Sequence, residues 1–67
     1  MIIRPNAELK IHLFNRRISQ RELAFGTGID EALISKAIRY GQSTEEMREE
    51  ISRFLGVGKK ELFPWED

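Results

Sequence analysis

The stretch Ser19 to Gly41, SQRELAFGTGIDEALISKAIRYG, constrains what this chain can fold into more than any other. It holds two short runs at helical spacing with a glycine between them. Ser19-Gln20-Arg21-Glu22 has the form of a capping box. In such a box the serine hydroxyl accepts from the backbone N–H three residues on, and the glutamate reaches back to the serine N–H. Leu23, Ala24 and Thr27 then form an inner face. Gly28 breaks the helix in a left-handed conformation that glycine adopts at least cost. Asp30 caps a second helix that runs from about Glu31 to Tyr40 and ends at Gly41. Two helices crossing steeply at a tight turn need a small residue where they touch, which Ala24 supplies. The second helix needs inward apolar residues, and Ile29, Ile34, Ala37 and Ile38 supply them; on a helical wheel Leu33 joins Ile34, Ala37 and Ile38 at the centre of that face. These are the requirements of a helix-turn-helix.

The same signals divide the rest of the chain, so that five short helices are predicted. The first follows Arg4-Pro5-Asn6, where proline disfavours helix at Arg4 and Asn6 is an N-cap. It carries Leu9 and Leu13 on one face and continues through Arg16 or Arg17. Ile11 and Phe14 point away from that face, to cover a second surface or meet the N-terminal arm. The fourth helix spans about Glu45 to Leu55, capped by Ser43 or Thr44 and stopped by Gly56. Met47, Ile51, Phe54 and Leu55 read as its apolar stripe, and Glu49 and Arg53 as an i, i+4 ion pair. A short fifth helix, about Lys59 to Phe63, ends at Pro64. The expected organisation is one all-α domain over residues 1–67, with an N-terminal arm (1–5), a helical core (6–63) and a tail (64–67).

Composition narrows the function classes. There is no cysteine, so disulfides, thiolate zinc and cysteine nucleophiles are excluded, and the single His12 cannot build a metal cluster. His12 reads as a packing or surface residue, since no nucleophile accompanies it. No nucleophile–base pair, metal-ligand set or phosphate-cradling glycine loop is legible, so neither an enzyme nor a cofactor is expected. No apolar run approaches a membrane span, and MIIRPN lacks the apolar core of a signal peptide, so a cytoplasmic protein without a membrane role is expected. A chain of 67 residues buries a modest core and depends on close helix packing or oligomerisation. Its net charge is zero, but residues 1–42 carry seven bases against four acids, while residues 43–67 carry four bases against seven acids. Asymmetry of that kind can mark a nucleic-acid face or arise by chance.

The residues Ser19-Gln20, Leu23-Ala24, Gly28-Ile29 and Ile34-Ser35 resemble the helix-turn-helix of the Cro/C1-type, lambda-repressor-like regulators, also called the XRE family. REEISRFLGVGKKELF resembles that family's fourth and fifth helices, so the resemblance covers roughly residues 6–63. It implies a compact five-helix fold and a protein of prokaryotic or phage origin that binds double-stranded DNA, at a palindromic operator, as a homodimer working at the nucleoid. By the same resemblance Gln20 would meet phosphate, Glu31, Ala32, Ser35 and Lys36 would meet base edges, and Arg39, Tyr40 and Gln42 would meet the backbone. Arg17 stands where the family often has glycine, and so would carry strain or a phosphate contact. The loop Tyr40-Gly41-Gln42-Ser43 is about one residue shorter than is usual there and lacks the common proline.

The acids Asp30 and Glu31 open the helix that would face a polyanion. On a helical wheel, at about 100° per residue, Asp30 falls on the inner side, where its carboxylate serves as a cap. The outer face is Ala32, Ser35, Lys36 and Arg39, with no acid at its centre. Glu31 sits on the flank, either stabilising the helix dipole or accepting from cytosine N4. Ala32 can meet a thymine methyl. Leu62, Phe63 and Trp65 form a terminal apolar cluster that either closes the core or makes a homodimer surface, with Trp65 the stronger dimer residue. Phe25, on the outer face of the second helix, is either an ordinary exposed apolar residue or a partner contact. Two functions follow. One is a sequence-specific transcriptional regulator, a repressor without a small-molecule ligand. The other is a protein-interaction adaptor or antitoxin-like module that keeps the fold with little DNA binding of its own.

Overall fold

Side-chain caps set where the first four helices begin, while the fifth starts after Gly58 with no side-chain cap. The computed structural model describes residues 4–64, and among these residues the regular elements are α1 (Ala7–Asn15), α2 (Gln20–Thr27), α3 (Glu31–Tyr40), α4 (Glu45–Leu55) and α5 (Lys59–Leu62). The side-chain oxygen of Asn6 accepts from the Leu9 N–H at 2.9 Å. The Ser19 box closes in both directions: its hydroxyl accepts from the Glu22 N–H at 3.0 Å, and the Glu22 carboxylate accepts from the Ser19 N–H at 2.9 Å. Asp30 accepts from the Ala32 N–H at 2.8 Å, and Thr44 accepts from the Met47 N–H at 3.2 Å. Each cap satisfies a donor that the helix itself leaves open.

The helix ends follow equally local rules. α2 closes at Gly28 (φ 75°) and α3 at Gly41 (φ 71°), both left-handed. Thr27 ties the first of these turns: its hydroxyl donates to the Leu23 carbonyl at 2.7 Å and accepts from the Ile29 N–H at 3.3 Å. α1 stops at Asn15, earlier than expected, because Arg17 turns left-handed at φ 56°. It is the one non-glycine residue among those described with a positive φ.

The core lies where the apolar faces of all five helices meet. It comprises Leu9 and Leu13 from α1, Leu23 from α2, Ile34 and Ile38 from α3, Ile51 and Leu55 from α4, then Val57, Leu62 and Phe63, with Ile18, Ala24 and Ile29 packed at its edge. Burial of side chains of this size contributes about 1.5–3 kcal/mol each. α2 packs on α3 and on α4, while α5 closes the far side against α1 and α4. Leu62 and Phe63 are 0% and 2% exposed. They complete this core and so have no surface to present to a second copy, which removes them as dimer contacts. Trp65, like residues 1–3 of the expected arm, lies outside the described residues.

Long-range packing departs from the sequence reading in four places. Arg4 and Asn6 are fastened to the end of α3: the Asn6 N–H donates to the Ile38 carbonyl at 2.8 Å and the Arg4 N–H to the Tyr40 carbonyl at 3.4 Å. A Cβ on Gly41 would overlap the Arg4 carbonyl oxygen, so this close approach requires glycine. Phe54 is not part of the buried stripe of α4, being 44% exposed, with its ring over Gly26 of α2 where a Cβ would collide with it. Leu33 is turned outward as well. Finally, Arg53 pairs with Glu50 at 2.8 Å rather than with Glu49, whose carboxylate lies 3.7 Å from Lys59.

Candidate nucleic-acid interface

α3 presents its inner face, Ile34, Ala37 and Ile38, to the core and its opposite face to solvent. On that outer side Glu31, Ala32, Lys36 and Arg39 are exposed and Ser35 is half-buried. The helix is held from both ends. Asp30 caps its start, and its last turn accepts the two backbone bonds from Arg4 and Asn6. A helix anchored this way presents its side chains from a fixed frame.

The expected base-reading residues therefore share one surface. Ala32 and Lys36 lie on its exposed side, with Glu31 and the half-buried Ser35 one turn apart beside them. Asp30 is committed to its cap, as its position on the wheel implies. Arg39 lies with its guanidinium 5.8 Å from the centre of the Tyr40 ring, a cation–π distance that sets both side chains together at the C-terminal end of the same surface. The Gln42 N–H donates to the Lys36 carbonyl at 3.4 Å, bringing that loop back under α3. Arg48 secures the loop from the other side, donating to the Ser43 carbonyl at 2.7 Å and to its hydroxyl at 3.2 Å.

Gln20 is the first residue of α2, half-buried beside the Ser19 cap. Its side chain sits at a positive helix terminus, where backbone N–H groups favour an anion. Arg17 is exposed on the turn just before it. His12 takes part in no cluster; its Nδ1 lies 2.9 Å from an Arg16 guanidinium nitrogen. Among the described residues no group of histidine, aspartate and glutamate could hold a metal ion, and no helix is long and apolar enough to cross a membrane.

Two residues enter the surface that the linear reading left out. Arg4 reaches the end of α3 through its backbone bond to Tyr40. Leu33 lines a shallow groove with Lys36, Gln42, Ser43, Thr44 and Met47, between α3 and the start of α4. Helical periodicity gives no warning of Leu33, which it places with Ile34, Ala37 and Ile38 on the inward face. Nothing local marks Arg4. A second groove, mostly apolar, lies away from α3 and is lined by Arg21, Glu22, Phe25, Gly26 and Phe54; Phe25 beside it is 91% exposed.

One carboxylate has a displaced titration. The Lys59 ammonium, which donates to Glu45 at 2.5 Å, holds that carboxyl below its ordinary value, with its charge and that of Arg48 adding to the effect. This pair joins the start of α4 to α5 and lies apart from the surface of α3. Comparison of the chain with family models, curated proteins and solved structures returned no match.

Proposed function

We propose that this protein is a sequence-specific double-stranded DNA-binding regulator of the lambda-repressor-like kind, acting as a homodimer that occludes a promoter. The observation that carries the reading is the outer face of α3. Ala32, Lys36 and Arg39 stand clear of the core with no acid between them, on a helix braced by α2, the glycine turn and the Arg4–Asn6 segment. A helix of that size fits a B-DNA major groove, where such side chains meet base edges. Arg17, Gln20, Tyr40 and Gln42 around its rim are the phosphate contacts in this reading, and Glu31 and Ser35 complete the reading set. Zero net charge and Glu31 limit non-specific attraction, so specificity rests on contacts to bases more than on bulk electrostatics.

Selection from a random duplex pool at low salt tests this, with the wild type compared against Lys36→Glu/Arg39→Glu. Enrichment of a palindrome, its loss in the double variant, and affinity that falls steeply as salt rises are the expected results. A folded wild type that enriches nothing and shows no salt-sensitive binding would sink the regulator reading. The groove beside Phe25 favours the second reading, a protein-interaction module. A partner held there would be released by Phe25→Ser and would show little dependence on salt.

A further inference from the structure

Leu33 is 44% exposed although a leucine at its position would gain from turning inward. It lies three residues before Lys36 on α3, and the two line the same groove, whose floor includes the buried Met47 of α4. Ser43 and Thr44, on the far wall, are the residues before α4, and Arg48 fixes that wall through its bonds to Ser43. The groove is therefore lined by an apolar and a cationic residue of α3 and by the hydroxyl-bearing residues that precede α4. Lysine at this site can meet guanine O6 and N7 or a phosphate, but neither gives leucine a purpose. The apolar group that a major groove offers is the 5-methyl of thymine, and a leucine or other aliphatic side chain distinguishes it from every other base edge.

Resting on the DNA-binding reading above, we propose that Leu33 is a specificity-determining residue that contacts a thymine methyl in each half-site, beside the base or phosphate met by Lys36. The contact is van der Waals and hydrophobic, and it selects thymine over cytosine and uracil without a hydrogen bond.

The test uses the duplex enriched by the wild-type protein. Each thymine in one half-site is replaced singly by deoxyuridine, which removes the methyl and keeps the pairing and the O4 acceptor. At one position the replacement is expected to weaken wild-type binding about fourfold, the order of one buried methyl group. Leu33→Ala is expected to bind the thymine duplex more weakly and to lose the thymine–uracil difference at that position, while Leu33→Met retains it. Since Leu33 is not part of the core, both variants should unfold near the wild-type temperature. If specific, salt-sensitive binding persists but no thymine behaves this way, or if Leu33→Ala discriminates as the wild type does, the inference falls and the regulator reading stands. If the protein binds no duplex in a salt-sensitive manner, both fall together.

Discussion

At the scale of single residues, backbone conformation carries the clearest expectations. Arg17 holds φ 56° with a full side chain, a conformation that costs an L-residue about 1–2 kcal/mol. Arg17→Gly should therefore raise the melting temperature by several degrees, in line with about 4–8 °C per kcal/mol for a domain of this size. If Arg17 also meets phosphate, the same variant binds DNA less tightly and with a shallower salt slope, so stability and affinity move in opposite directions. Gly41 and Gly56 form a controlled pair. Both are left-handed, but a Cβ meets nothing within 4 Å at Gly56 and meets the Arg4 carbonyl at Gly41. Gly56→Ala should cost about 1 kcal/mol, the left-handed penalty alone. Gly41→Ala should cost clearly more and expose the Arg4 and Asn6 amides to hydrogen exchange. Equal costs at the two sites would mean that the N-terminal segment contributes nothing to the position of α3.

At the scale of elements, α2 and its cap decide how α3 is held. Ser19→Ala removes one half of a closed capping box and should destabilise the domain by about 1 kcal/mol, measured by denaturant unfolding. The α4–α5 connection has its own pH signature. Glu45 is depressed by Lys59, so the stability it contributes is present above the ordinary carboxylate value and is lost as pH falls through its folded value. Wild type and Glu45→Gln should differ slightly in melting temperature at neutral pH and converge in acid, and salt should shrink the difference because the pair is exposed. These elements were legible in the residues because caps and glycine stops act over three or four positions. Phe54 was not, since its apolar sector on α4 suits burial. What draws it aside is Gly26, whose missing side chain lets the ring lie across α2. Leu33 departs for a related reason: the inner face of α3 is already filled by Ile34, Ala37 and Ile38.

At the scale of the whole molecule, the core depends on its last turn. Phe63→Ala should cost about 3–5 kcal/mol and leave this small domain largely unfolded, seen as lost helical signal by circular dichroism. A folded variant altered only in its oligomeric state would restore Phe63 as an interface residue. Size bears on assembly as well. The described residues extend 29 × 22 × 21 Å, whereas half-sites on successive major grooves lie roughly 34 Å apart. On the proposed reading, sedimentation should find two copies on a palindromic duplex and one copy on a duplex that carries a single half-site.

The residues alone determined the number of helices, their caps, the glycine turn between α2 and α3, and which side of α3 holds Ala32, Lys36 and Arg39. All of these arise from backbone hydrogen bonding and helical periodicity, which neighbours in sequence control. Only the tertiary structure decided that Leu62 and Phe63 are core, that Arg4 and Asn6 brace α3, and that Leu33 faces a groove. Those outcomes depend on which surfaces meet when five helices compete for one small interior, and no single segment contains that information.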